Sequence, residues 1–351
     1  MTTKLAIKSG VHILWRNKNE IQIGIDPAKS LIIEAQIGKQ ILDLCDGTRN
    51  MQRVIDELAQ LDNSNETIKN LLNLLFEHGL IVGQGNYQSN EISRKKKTAV
   101  HDSDARFLAQ RDLSNPTGTF TNRLSADIQI YGAGRLGMTI ALLLATGGFQ
   151  KIFVKDEQLI TASDLSAWGA SRIDVGMRRD KVAMQLIERV QAGATQRTGS
   201  SQATEGQRLK ILAPDCVADY PWISPDQSDA CLASDVPHMF ATLAGSQSMV
   251  SSIIQPGLNG CIRCLHSYLT DRDPAWPIVC AQLIGRTSQD VSPTGLVMTT
   301  ALKVTAKVSE WIDSANNQAN LIEVSNWPEQ RTQKIWNEPH PSCGCGWNTT
   351  S

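Results

Sequence analysis

Between residues 127 and 148 the chain passes from strand to helix through three glycines in six positions, a passage that few folds require. Asp127-Ile128-Gln129-Ile130-Tyr131 reads as a strand, and Gly132-Ala133-Gly134-Arg135-Leu136-Gly137 follows it directly. An apolar helix then runs from Met138 to about Thr146 and stops at Gly147-Gly148. Glycines let a chain turn sharply and approach a ligand's phosphates, and the helix start supplies unpaired N–H groups with a favourable dipole. A second strand, Lys151 to Val154, closes on Asp156, 19 residues beyond Gly137, where a carboxylate reaches a ribose hydroxyl. The expectation is a Rossmann-like α/β domain with Gly132, Gly134, Gly137 and Asp156 as nucleotide-binding candidates. Strand–helix packing alone is the competing reason for the glycines.

The cysteines add a second constraint. Cys261-Ile262-Arg263-Cys264 is a CxxC pair and Cys343-Gly344-Cys345 a CxC pair. Each presents two thiolates from a tight turn, and together they supply the tetrahedral sulfur set that structural zinc prefers. Such an ion pins the tail to the domain and leaves no open position for catalysis. The alternatives are a redox CxxC pair and unrelated buried thiols. Cys45, Cys216, Cys231 and Cys280 have no such partners and are read as packing residues.

At 351 residues the chain is long enough for two domains. In residues 1–83, Val11–Trp15, Ile21–Ile25 and Leu31–Ile33 read as strands. Three helical patterns follow, on Ile37/Ile41/Leu44/Cys45, Val54/Ile55/Leu58/Leu61 and Ile68/Leu71/Leu72/Leu75/Phe76, then a short strand Leu80–Val82. A hairpin with three helices is a winged-helix pattern. Residues 84–126, polar and centred on Arg94-Lys95-Lys96-Lys97, read as a linker, and 127–351 as the Rossmann-like domain. A net charge of -1 and the acidic residues Asp43, Asp46, Asp56, Glu57, Asp62 and Glu66 argue against nucleic acid as a partner. The longest apolar run, Ile140 to Ala145, is too short to span a membrane, and the N-terminus lacks a secretory signal's apolar core, so a cytoplasmic location is expected.

Taken in order, the glycine motif, Asp156, CxxC and CxC resemble the ThiF-type family of adenylating enzymes, over roughly residues 127–346. The resemblance implies a glycine loop that holds ATP, an arginine and a glutamine that handle its phosphates, a magnesium-binding aspartate after a later strand, and zinc on four cysteines. The chain departs from the pattern. Gln158 replaces the family's second aspartate, and its Ser-Asn-Leu-x-Arg-Gln run is here Ser163-Asp164-Leu165-Ser166-Ala167-Trp168. Ala167 and Trp168 cannot stabilise charge growing on a phosphoanhydride. Arg172, Arg178, Arg179 and Lys181 are the nearby basic substitutes, and no strand clearly leads to Asp226, Asp229 or Asp235.

Within that superfamily, Gly10–Arg16, Gly134–Gly137, Cys261–Cys264, Asp271–Pro277 and His340–Gly346 resemble the leader-peptide-binding (ocin-ThiF-like) partners of YcaO-type azoline cyclodehydratases. That resemblance implies a winged-helix, PqqD-like peptide clamp ahead of a degenerate ThiF-type domain with a zinc knot. It implies a non-catalytic, homodimeric protein that presents a precursor's leader peptide to a YcaO-type enzyme, with ATP doubtful as a cofactor. The leader adds as a strand beside Leu31, Ile32 and Ile33, flanked by Lys69, Asn73 and Glu77. The alternative is an active adenylyltransferase that uses ATP to activate a peptide or carrier-protein carboxylate. A nicotinamide-dependent oxidoreductase is a third reading, which the glycine loop alone allows.

Overall fold

A computed structural model describes residues 4–8, 11–60, 64–84, 122–191, 207–215, 219–286, 291–314, 320–329, 331–336 and 338–347. The chain divides into two compact units, and the described residues up to 84 belong to one, those from 122 to the other. Except for residue 84 and residues 122–126, the expected linker lies outside the described residues, as does Cys216.

The first unit runs β1 (Lys4–Ile7), β2 (Ile13–Trp15), β3 (Glu20–Ile23), β4 (Leu31–Glu34), α1 (Ala35–Leu44), β5 (Asp46–Asn50), α2 (Met51–Ala59), α3 (Asn65–Glu77) and β6 (Ile81–Gln84). Its strands form two antiparallel three-stranded sheets, β5-β1-β6 and β2-β3-β4. The helices bury Ile41 from α1, Val54, Ile55 and Leu58 from α2, and Ile68, Leu72 and Leu75 from α3. These pack with Ile21, Ile23 and Ile81 into one apolar core. Ile37, Leu44 and Leu71 are half-buried, Cys45 follows α1 as its cap, Phe76 is exposed, and Leu61 lies outside the described residues. Asn50 caps α2, its side chain accepting the Arg53 N–H. Strand β5, Asp-Gly-Thr-Arg-Asn, has no apolar alternation and weak strand propensity; pairing with β1 makes it a strand, so local sequence was silent there.

The second unit is built on β7 (Asp127–Tyr131), α4 (Arg135–Thr146), β8 (Lys151–Lys155), α5 (Arg179–Val190), β9 (Arg208–Leu212), α6 (Asp229–Ala233), β10 (His238–Ala244), β11 (Gln247–Ser251), α7 (Ile262–Arg272), α8 (Trp276–Ala281), α9 (Thr294–Ser314), β12 (Leu321–Asn326) and β13 (Thr332–Trp336). One sheet has the order β13-β12-β11-β10-β9-β7-β8. From β8 to β10 neighbouring strands are parallel, and from β10 to β13 antiparallel. The chain leaves β7 for β8 on one side and returns to β9 on the other. That reversal opens a crevice beyond the carboxyl ends of β7 and β9, the place where open α/β sheets bind ligands.

Ile128, Ile130, Leu209 and Ile211 pack with Ile140, Leu144, Val304 and Val308 in the main core. Arg123 closes the far end. Its guanidinium pairs with both oxygens of Asp313 at 2.7 and 2.6 Å, donates to the Gly147 carbonyl at 2.7 Å and lies over the Phe149 ring. This buried fork joins the ends of α4 and α9.

Candidate functional site

Three strand ends meet in the crevice. Gly132, after β7, has φ +98°, and a Cβ there would stand 2.0 Å from the Ala213 carbonyl oxygen. Ala213 N–H donates to Tyr131 O at 2.8 Å and Gly132 N–H to Lys155 O at 3.1 Å, so the ends of β9, β7 and β8 are tied together. Only glycine fits this crossing. Gly134 precedes α4, and a Cβ on it would lie 2.7 Å from Asp215 Oδ1; Gly137 is buried in the helix's first turn. Asp156, just past β8, accepts the Ala133 N–H at 2.7 Å through Oδ2 and the Gln158 N–H at 3.0 Å through Oδ1. Sequence reasoning named all four of these residues, and the structure brings them to one place.

Arg179, the first residue of α5, enters the same place. Nη1 lies 2.6 Å from Asp215 Oδ2, 3.0 Å from Gln158 Oε1 and 3.4 Å from Asp156 Oδ2, while Nη2 lies 2.7 Å from Asp164 Oδ1. Asp164 is fixed from behind, its Oδ2 accepting both the N–H and the hydroxyl of Thr161. Burial alone would lower the Arg179 pKa, but Asp215 and Asp164 raise it, so the group stays charged. Burial raises the Asp215 carboxyl above its ordinary value, and Arg179 pulls it back.

Of the four basic candidates, Arg179 alone makes contacts to these carboxylates; Arg178 pairs with Asp180 instead. Ala167 and Trp168 are exposed. Asp226 and Asp229 pair with Arg263 on the surface and take no part. Asp215 was missed. Its signal was an aspartate three residues past Leu209-Lys210-Ile211-Leu212, a short alternating run that is β9.

The four paired cysteines also converge. Cys261 caps α7, Cys264 lies in its first turn, and Cys343 and Cys345 come from the tail. All four sulfurs lie within 4.8 Å of one another, with separations of 3.8 Å (Cys261–Cys264), 3.6 Å (Cys261–Cys343) and 3.1 Å (Cys264–Cys345). A tetrahedron with zinc–sulfur bonds of about 2.3 Å has edges of about 3.8 Å, so the donor set fits the ion after a small expansion. Contacts with Cys261 and then Cys345 lower the Cys264 pKa, while Cys261, Cys343 and Cys345 are raised, because sulfurs this close share protons when no cation lies among them. The His340 N–H donates to Cys264 Sγ at 3.2 Å, and the His340 ring meets Asp271 at 2.9 Å, which holds the tail on α7. Cys45, Cys231 and Cys280 are buried apart from this cluster, and burial, then Asp46, pushes the Cys45 thiol up to about 12.

In the first unit, Leu31 and Ile33 turn toward the core while Ile32 is 52% exposed. Among the described residues β4 pairs only with β3, so its outer edge is open. Lys69, Asn73 and Glu77 follow one another on the exposed side of α3. His78 Nδ1 lies 3.1 Å from Lys29 O, tying the end of α3 to the loop before β4. The Asp271–Trp276 segment has a packing role: Trp276 Nε1 donates to His266 Nδ1 at 3.0 Å. Trp276 also walls a cavity of about 490 Å³ with Trp222, Tyr268 and Arg272, and none of the crevice residues lines it.

No curated protein matches the sequence. Among solved structures, E. coli MccB with ATP has a TM-score of 0.67 at 16% identity, covering 97% of this chain and 99% of that one. The microcin C7 biosynthetic enzyme MccB in complex with N-formylated MccA has a TM-score of 0.68 at 15% identity, covering 97% and 99%. The heterocyclase TruD has a TM-score of 0.56 at 14% identity, covering 98% of this chain but 43% of that one. At these identities the likeness speaks for the fold.

The whole-chain matches correct four expectations. The protein matched end to end is a biosynthetic enzyme, MccB, solved with ATP and in complex with MccA. The identification with YcaO partner proteins, the non-catalytic role, the YcaO-type partner and the doubt over ATP are all overturned. The physical reason lies in Arg179: the loss of arginine and glutamine at Ala167 and Trp168 was read as the loss of the site, yet a guanidinium reaches it from α5. A profile of the ThiF family matches residues 117–345, a span that contains both the crevice and the cysteine cluster. By that match over most of its length, the chain belongs to the ThiF family.

Proposed function

We propose that this chain is an adenylyltransferase that uses ATP to activate a carboxylate of a peptide. What carries the reading is the convergence of Gly132–Gly137, Asp156, Arg179 and Asp215 at the switch point of the sheet. The N–H groups at the start of α4 face the phosphates, and Asp156 takes the ribose hydroxyls. A substrate carboxylate oxygen attacks the α-phosphorus, the bond to the β-phosphate oxygen breaks, and pyrophosphate leaves with the electron pair. The product is an acyl-adenylate. Arg179 neutralises the charge that grows on the departing phosphates in a largely dry site. Magnesium, when bound with the nucleotide, neutralises phosphate charge, and Asp215 is the carboxylate placed to hold it.

The N-terminal unit (1–83) is the peptide-recognition part of this proposal, a winged-helix, PqqD-like clamp. An extended peptide adds to the open edge of β4 at Leu31, Ile32 and Ile33, with Lys69 and Asn73 alongside. MccB in complex with MccA, similar in fold over its full length, supports a peptide as the substrate class. The four cysteines hold a structural zinc ion, which fixes the tail and does no chemistry. A reducing, cytoplasmic location suits these free thiols.

The test is exchange of labelled pyrophosphate into ATP, with pools of short peptides bearing free carboxyl termini as substrate. Peptide-stimulated exchange is the expected result. Absence of exchange with every pool, from folded and zinc-loaded protein, contradicts the reading.

A further inference from the structure

The cavity beside Trp276 is built from residues that the crevice does not use. Tyr220, Trp222, Tyr268 and Trp276 surround it, and Met249 of β11 and Ile335 of β13 add apolar lining. Its volume of about 490 Å³ falls in the range of roughly 300–1,000 Å³ that small-ligand sites occupy. His266 holds the two indoles in place. Its Nδ1 accepts the Trp276 N–H at 3.0 Å and its Nε2 donates to the Ile223 carbonyl at 2.8 Å, which fixes one neutral tautomer. The imidazole stacks on Trp276 at 6.0 Å and meets Trp222 edge-on at 6.2 Å. Walls locked in this way are formed before a ligand arrives.

Arg272 and Glu338 line the same cavity, and both are exposed, so they stand at its mouth. Among the described residues neither makes an ion pair, with the other or elsewhere. Their separation is fixed by the fold. Arg272 ends α7, the helix that begins at the four-cysteine cluster, and Glu338 leads into the tail that returns to it. Asp271, beside Arg272, meets the His340 ring at 2.9 Å, and the His340 N–H donates to Cys264 Sγ at 3.2 Å. A cation and an anion are thus held apart on the rim of an aromatic pocket.

We propose that this cavity binds a free aromatic α-amino acid, its ring among the four aromatic side chains, its carboxylate on Arg272 and its ammonium group at Glu338. Charge complementarity selects this ligand over other apolar ones. A residue inside a peptide brings neither charge and leaves both rim groups unmatched. An aromatic acid without the amine satisfies Arg272 and faces Glu338 with like charge, and an amine without the acid does the reverse. The zwitterion matches both, and the guanidinium offers a carboxylate two parallel N–H donors. Rings set edge-on or offset around the ligand ring add to the area it buries. No bond is made or broken here, and the site does not depend on the crevice taking ATP.

The experiment is calorimetric titration of the whole chain with L-phenylalanine, L-tyrosine and L-tryptophan. Phenethylamine, 3-phenylpropionate and a phenylalanine peptide blocked at both ends serve as comparisons. At least one of the amino acids is expected to bind saturably, and each comparison compound at least about tenfold more weakly. Arg272→Gln is expected to weaken amino-acid binding at least about tenfold and leave phenethylamine within about threefold. Glu338→Gln is expected to do the same while leaving 3-phenylpropionate within about threefold. Thermal unfolding checks that both variants are folded. Failure of all three amino acids to bind overturns the proposal, as does unchanged affinity in either variant. A blocked peptide that binds as tightly as the amino acid also overturns it, and makes the cavity a docking point for a peptide side chain. None of these outcomes bears on the adenylation reading.

Discussion

The Oδ2 atom of Asp156 accepts the backbone N–H of Ala133 at 2.7 Å, so the acid at the end of β8 and the glycine loop after β7 form one rigid wall. A ribose-binding carboxylate that is already anchored to the phosphate loop needs no rearrangement to bind. Preorganisation of this kind strengthens electrostatic contacts made in a dry crevice.

Two glycines separate function from folding. A Cβ at Gly132 meets backbone at 2.0 Å and the residue has φ +98°, so nothing nearby yields. Gly132→Ala is expected to destabilise the second unit by at least about 2 kcal/mol. A Cβ at Gly134 meets the tip of the Asp215 side chain, which is able to move. Gly134→Ala is expected to leave the melting temperature within about 3 °C of wild type while weakening ATP binding at least about tenfold. Thermal unfolding and calorimetry on the two variants check this, and equal melting temperatures contradict it.

The cysteine cluster predicts a metal content. About one zinc per chain is expected by atomic emission, as for other closed four-thiolate sites. Cys261→Ser and Cys343→Ser, from the two separate pairs, are each expected to abolish it and lower the melting temperature. Cys280→Ser is the control, since its sulfur lies outside the cluster, and it is expected to keep the metal. Loss of zinc in the control and not in Cys261→Ser contradicts the assignment.

His238 makes stability depend on pH. It is fully buried at the start of β10, Nδ1 lies 3.1 Å from the Val236 carbonyl, and Nε2 has no partner. Burial lowers its pKa from 6.5 to about 4, with the Val236 carbonyl opposing and Lys210 adding to the shift. Between those values the unfolded chain binds more protons than the folded one. The stabilising contribution is therefore complete above pH 6.5 and is lost as pH falls through 4. Stability is expected to drop by about 2 kcal/mol from pH 7 to pH 5 on this account. His238→Gln is expected to flatten that slope in urea denaturation, and an unchanged slope contradicts it.

What was legible in the sequence was local. Gly132–Gly137 and Asp156 announce themselves because the strand, loop and helix that position them are contiguous. The four cysteines were legible because spacing within each pair dictates a turn. Asp215 and Arg179 were not, because their meaning is a meeting of β9 with the start of α5, 36 residues apart in the chain. Reading Ala167 and Trp168 as a dead site assumed that the guanidinium had to come from that run of sequence. Strand β5 was invisible for a related reason, since β1 supplies its hydrogen bonds.

The claim that the crevice is a working ATP site is tested most directly by calorimetric titration with magnesium-ATP. Wild type, Asp156→Ala and Asp156→Asn are compared, the last keeping an acceptor for Ala133 N–H. Saturable binding by the wild type is predicted, with affinity at least about tenfold weaker in Asp156→Ala and partly restored in Asp156→Asn. A folded wild-type chain that takes up no ATP, or an Asp156→Ala variant that binds as well as wild type, contradicts the account.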